Sequence, residues 1–212
     1  MQVKICGLTT PESVEAAVQA GASYIGFNFF SKSPRFVSSA RAAELVELVP
    51  ERVINVALTV NPDDEMLREI TAAFSVDVLQ LHGSESPERV HEIKLKFGIP
   101  VMKVLGIAEK SDIAAIDTYS EVADMLLVDA KPPKGSALPG GNAVTFDWRL
   151  IADLEWTVPW MLAGGLTPEN VAEAGRLTGA PMVDVASGVE SAPGVKDLDK
   201  IAAFVKAAKG AE

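Results

Sequence analysis

Cysteine occurs once, at Cys6, so no disulfide can form within the 212-residue chain. The core alone must then hold the fold, and a single thiol of this kind predicts a reducing, cytoplasmic setting. Histidine occurs twice, at His82 and His91. The two lie apart from each other and from Cys6, which matches no metal-ligand spacing, so no metal is expected. Basic residues are outnumbered: 19 Lys and Arg stand against 29 Asp and Glu, for a net charge of −10. A field of that sign repels phosphate backbones and excludes nucleic acid as a partner. Small anions then depend on local features such as backbone amides, helix N-termini or a single arginine. No apolar run reaches the ~18 residues of a membrane-spanning helix. The N-terminus enters a short strand-like segment directly, without a basic stretch and apolar run, so no cleaved leader is expected. There is no low-complexity tract, charge block or linker, which predicts one soluble domain over residues 1–212, long enough to bury a full core.

What is present alternates. Short β-branched runs predict strands near Val3–Cys6, Tyr24–Phe29, Val53–Val60, Val76–Leu81, Val101–Leu105, Met125–Asp129, Pro159–Ala163 and Met182–Ala186. Between them, apolar residues recur at helical spacing, as in Met66, Leu67, Ile70 and Ala73, or Leu198, Ile201, Ala202 and Val205. Eight near-continuous apolar strands, each followed by a helix, predict a parallel eight-stranded (β/α)8 barrel of the α/β class, small for that fold. An open doubly wound sheet is the alternative, weakened because no G-x-G-x-x-G follows the first strand. Thr10-Pro11 and Thr167-Pro168 each predict a helix start, with threonine at the cap and proline at the first helical position. The stretch KPPKGSALPGGNAV, residues 131–144, is too rich in Pro and Gly for helix and predicts a long loop.

In such a barrel the functional groups sit at the C-terminal ends of the strands. That rule selects Cys6, Asn28, His82, Asp129 and Ser187 at strand ends, with Arg35 on the loop after the second strand. Each has a plainer reading. Cys6 fits a small buried hydrophobe, His82 a wall residue, and Gly164-Gly165 a tight turn. Asp129 is harder to dismiss, because burying an unpaired carboxylate is costly and favours the barrel mouth. Gly164-Gly165 and Ser187-Gly188, after the seventh and eighth strands, suit the close approach of backbone amides to phosphate oxygens. No nucleophile elbow is present. The residues by themselves therefore predict a barrel that binds a phosphorylated small molecule.

VKICGLT, FFSKSPRFV, QLHG, LLVDAKPP, PGGNAVTFDW, LAGGLTPENV and DVASGVE occur in this order. Together they resemble the phosphoribosylanthranilate isomerase family of tryptophan biosynthesis, from residue 3 to about residue 205. The resemblance implies a (β/α)8 fold and a cofactor-free Amadori rearrangement, converting phosphoribosylanthranilate to the 1-deoxyribulose phosphate product. It implies Cys6 as general base and Asp129 as general acid, with Arg35 on the anthranilate carboxylate. His82 and Asp184 would line the site, Gly164, Gly165, Ser187 and Gly188 would cradle the phosphate, and Gly140 and Gly141 would belong to the loop after the sixth strand. A neutral thiol needs help to ionise, from the cradle amides or the helix starting at Thr10. Two positions depart from the family pattern: Ala143 replaces a usual glycine and Ala186 a usual serine. A related aminoaldose-phosphate isomerase and a non-catalytic phosphosugar-binding barrel are the alternatives. The first has aspartate where this chain has Cys6, and the second needs neither acid nor base. No unmatched apolar stripe stands out, which predicts a monomer.

Overall fold

A computed structural model describes residues 1–131, 140–141 and 145–210. Strand β1 (Gln2–Cys6) alternates sharply: Val3 and Ile5 join the apolar layer under the helices, while Lys4 and Cys6 turn into the barrel. The same alternation runs through β2 (Tyr24–Asn28), β3 (Ile54–Thr59), β4 (Val78–Leu81), β5 (Val101–Ile107), β6 (Met125–Ala130), β7 (Trp160–Leu162) and β8 (Met182–Val185). The strands are parallel and close in sequence order, with β1 pairing both β2 and β8. Inward-facing Tyr24, Val56, Val78, Met102, Val104, Leu127, Met161, Ala163 and Met182 fill the interior, so the barrel is a packed core with its polar groups raised to one end.

The helices are α1 (Pro11–Ala20), α2 (Ser39–Val46), α3 (Asp64–Ala73), α4 (Pro87–Phe97), α5 (Ala114–Ser120), α6 (Val171–Thr178) and α7 (Leu198–Lys209). At α1 the expected start holds: Thr10 caps it, accepting from the Ser13 amide, and Pro11 is the first helical residue. At α6 it does not. Regular helix begins at Val171, with Asn170 as its cap. The Asn170 side chain is used differently: it accepts from the Thr167 amide at 2.8 Å and donates to the Gly165 carbonyl at 3.0 Å. That fixes the loop after β7 before the helix starts.

Two further departures bear on the site. Between β6 and β7 the described residues contain only a 3-10 turn, Trp148–Leu150, instead of an eighth helix. Its neighbours Phe146, Leu154 and Trp156 pack with it on the outer apolar layer, so that face is covered without a regular helix. Ala143 lies outside the described residues. After β8 the chain forms an unforeseen antiparallel hairpin, β9 (Glu190–Ala192) and β10 (Val195–Lys196). Gly194 turns it at φ +82°, where a Cβ would also strike the Pro34 carbonyl. Among the described residues no helix is long and apolar enough to cross a membrane.

Candidate active site

At the C-terminal ends of the strands lies an open-mouthed cavity. All the residues selected from the sequence line it: Cys6 from β1, Arg35 after β2, His82 after β4, and Asp129 with Gly140 and Gly141 from β6 and its loop. Gly164 and Gly165 follow β7, and Asp184, Ser187 and Gly188 come from β8 and its exit. Asn28 is there too, but its work is local. Its Oδ1 accepts from the Phe30 amide and its Nδ2 donates to Ser33 Oγ, which in turn accepts from the Arg35 amide. That chain of bonds shapes the loop carrying Arg35.

On one wall Asp129 is 8% exposed, and its Oδ1 accepts the Ala130 amide at 2.7 Å. Its Oδ2 stands 3.5 Å from His82 Nε2. The amide nitrogen of Gln80 faces His82 Nδ1 at 3.3 Å. Because an amide nitrogen only donates, that assignment places the ring proton on Nε2, toward Asp129. A Cβ on Gly140 would fall 2.6 Å from His82 Nε2 and 2.8 Å from Asp129 Oδ2. Only a glycine lets the loop backbone approach the carboxyl so closely.

Opposite, Cys6 is buried above a charge set that sequence reading missed. Lys4, fully buried on the inner face of β1, donates to Asp184 Oδ1 at 2.8 Å. Burial works against the Lys4 charge, but Asp184 and Cys6 outweigh it and hold the ammonium above the usual lysine range. Lys196, from β10, donates to Glu190 Oε1 at 2.9 Å and to the Ala186 carbonyl at 2.8 Å. Burial pushes the Cys6 thiol up; Lys4 and Lys196 pull it down, Asp184 opposes them, and burial wins. Lys4, Lys196 and Asp184 are thus charged side chains that act on the thiol, and none of the three was singled out as doing so from the sequence.

Arg35 is also tied differently from its sequence reading. It is 5% exposed, and its Nε and Nη2 form a bidentate pair with Glu190 at 2.7 and 2.9 Å. Burial alone would raise Glu190, yet Arg35 and Lys196 hold its carboxyl below the usual range. The remaining nitrogen, Nη1, faces the loop: a Cβ on Gly141, whose φ is +71°, would fall 2.6 Å from it. One signal for this network was available. Lys4 stands at an inward position of an otherwise apolar strand, where a charge requires a partner. Glu190 and Lys196 gave no comparable sign.

The β7–β8 rim is lined by glycines that leave its backbone open to close approach. Gly164 and Gly165 sit at φ +87° and +62°, and a Cβ on Gly164 would lie 2.6 Å from the Ala130 nitrogen. A Cβ on Gly188 would collide with the Leu166 carbonyl. Among the described residues the backbone N–H groups of Gly164 and Gly165 have no backbone acceptor, and those of Ser187 and Gly188 open the 3-10 turn Ser187–Val189, whose first N–H groups lack an intrahelical partner. Amides left open in this way suit phosphate oxygens. Ala186, where a second serine was usual, supplies only its carbonyl, and that accepts from Lys196. No group of three or more His, Cys, Asp or Glu suited to a metal occurs among the described residues.

Comparison with known proteins identifies the family. Residues 3–207 match the profile of N-(5'phosphoribosyl)anthranilate (PRA) isomerase. An N-(5'-phosphoribosyl)anthranilate isomerase of Paramagnetospirillum magneticum is 57% identical over 210 residues, covering 99% of this chain and 98% of that one. The crystal structure of the Thermotoga maritima phosphoribosyl anthranilate isomerase superposes with a TM-score of 0.89 at 36% identity, covering 99% of both chains. A phosphoribosyl anthranilate isomerase in complex with reduced 1-(o-carboxyphenylamino)-1-deoxyribulose 5-phosphate superposes at 0.85 and 34% identity, again over 99% of each chain. A match over nearly the whole sequence, on a closed barrel with a glycine-lined rim, leaves one assignment: the chain belongs to the N-(5'-phosphoribosyl)anthranilate isomerase family.

Proposed function

We propose that Cys6 and Asp129 carry out the isomerisation of N-(5'-phosphoribosyl)anthranilate in this chain, as the base and acid of an Amadori rearrangement in tryptophan biosynthesis. The supporting observation is their placement at the ends of β1 and β6, on a single cavity whose rim between them carries the backbone amides of Gly164, Gly165, Ser187 and Gly188. With the substrate phosphate on that rim, Asp129 gives a proton to the furanose ring oxygen. The C1′–O bond breaks and the anthranilate nitrogen becomes a Schiff base. The Cys6 thiolate then removes the proton from C2′, giving an enolamine that tautomerises to the ketone. His82, held by Gln80, faces the acid from 3.5 Å, and Gly140 packs against both. Arg35 offers its remaining N–H groups to the anthranilate carboxylate while Glu190 holds the fork in place.

No step calls for a cofactor, because both proton transfers are supplied by side chains. We take the working unit to be a cytoplasmic monomer. Three of the exposed large apolar residues, Leu95, Leu177 and Leu198, lie on three different helices, α4, α6 and α7. Sedimentation of the purified protein tests that point. The activity is tested by adding the protein to phosphoribosylanthranilate and following loss of the substrate's anthranilate fluorescence. Loss at a rate proportional to enzyme supports the reading, and an unchanged signal overturns it.

A further inference from the structure

The charged side chains packed around Cys6 do not balance without it. Lys4 lies two positions earlier on the same inner face of β1, and Asp184 meets it from β8, its register partner. Val185 pairs with Ile5, so Ala186 continues β8 at the level of Cys6. Lys196 is anchored to that Ala186 carbonyl at 2.8 Å and to Glu190 at 2.9 Å, so its ammonium is held at the strand-end level of Cys6 and acts on the thiol. Arg35, from the loop after β2, completes the set on the far side of Glu190. Lys4, Arg35 and Lys196 thus pair with Asp184 and Glu190, all five side chains at most 10% exposed; burial pushes the Lys196 ammonium below the usual lysine range, with Glu190 and Cys6 opposing. One positive charge is left over. An uncompensated buried charge is costly, and the thiolate of Cys6 would cancel it.

Lys196 is not among the described residues that line the cavity. Its side chain is 2% exposed, and the hairpin after β8, whose Gly194 packs against the Pro34 carbonyl, carries it back to the Ala186 carbonyl. We propose that Lys196 is a positioning residue: together with Lys4 it supplies the positive charge that stabilises the Cys6 thiolate, and the β9–β10 hairpin exists to hold it there. The inference rests on the reading of Cys6 as the base. Ionisation breaks the S–H bond and passes the proton to water in the cavity onto which Cys6 opens. The opposing influence is burial, which pushes the thiol up, so removal of either cation leaves burial less opposed.

Because Cys6 is the sole cysteine, thiolate absorbance and iodoacetamide alkylation report on it alone. Lys196→Met should move the thiol titration upward by about one to two pH units, the size expected for losing one charge at short range in a partly screened site. Alkylation near neutral pH should slow about tenfold or more, and the kcat/KM profile should move up by the same interval. Lys196→Arg, which keeps the charge, should leave the titration close to the original. Glu190→Gln should move it the opposite way, downward, because it adds to the positive excess. A structural role for Lys196 would not give opposite signs in the two variants. An unchanged titration in Lys196→Met, or an upward shift in Glu190→Gln, overturns the proposal. Glu190→Gln and Lys196→Arg carry the test on their own if Lys196→Met does not fold. If the titration moves and the kcat/KM profile stays, the charge set stands and the reading of Cys6 as base falls.

Discussion

Breaking the Lys4–Asp184 pair from one side should cost more than breaking it from the other. The pair joins β1 to β8 under the active site, at 2.8 Å, with Lys4 fully buried and the Asp184 side chain 10% exposed on the cavity. Asp184→Asn strands an ammonium that has no access to water. It can escape only by losing its proton, which at neutral pH caps the cost at about 5 kcal/mol, from the usual lysine pKa and about 1.4 kcal/mol per unit. Lys4→Met strands a carboxylate at the cavity edge. There water solvates it, so about 2–3 kcal/mol is expected, against about 3–5 kcal/mol for the aspartate change. The double variant removes both charges and leaves a methionine of similar shape, so it should recover much of the loss. Coupling of at least about 2 kcal/mol follows. Urea unfolding of the four proteins measures this directly. The sign with pH is also set. The Lys4 charge is favoured in the folded state, so its contribution is fully present below the lysine's unfolded pKa of about 10.4. It is lost as pH rises through the higher folded value. Additive single costs, or a Lys4→Met variant worse than Asp184→Asn, would refute the reasoning.

Other outcomes can be checked with the fluorescence assay. Cys6→Ser should remove most turnover and leave the fold intact, because a hydroxyl is a far weaker base; near-normal kcat would exclude Cys6. Asp129→Asn should do the same, since an amide cannot give up the proton, and retained kcat would remove Asp129 from the mechanism. Gly140→Ala should lower kcat at least several-fold, its methyl being forced against His82 and Asp129; wild-type kcat would show that the loop has room to spare. The Cys6 thiol is pushed above its ordinary range by burial, so kcat/KM should climb as pH rises through the alkaline side. A flat profile there would mean that no thiol ionisation limits the reaction.

Arg35 shows how the tertiary structure changes an expectation. From the sequence, Arg35→Ala should weaken substrate binding more than stability. In the fold the same change also strands Glu190, which keeps only Lys196 and the Gly194 amide as partners. A stability loss should therefore accompany the rise in KM.

Local pattern was enough to locate the strands. The apolar runs ending at Cys6, Leu81 and Asp129 predict strands that end at Cys6, Leu81 and Ala130. Their period reports which faces are buried, and that is a property of neighbouring residues. Strand ends then identified Cys6, Asp129 and the glycine pairs, because a parallel barrel gathers its loops at one mouth. The missing helix after β6 and the hairpin after β8 were not legible. Trp148 and Trp156 cover the outer layer by packing, and the hairpin is fixed by Gly194 against Pro34. Least legible was the electrostatics. Lys4 and Asp184 are 180 residues apart, and Arg35 and Glu190 are 155 apart. Which residues reach the mouth follows from where the apolar runs end. Only barrel closure and strand register decided which charges meet there, because an ion pair depends on distance in space and no local pattern records it.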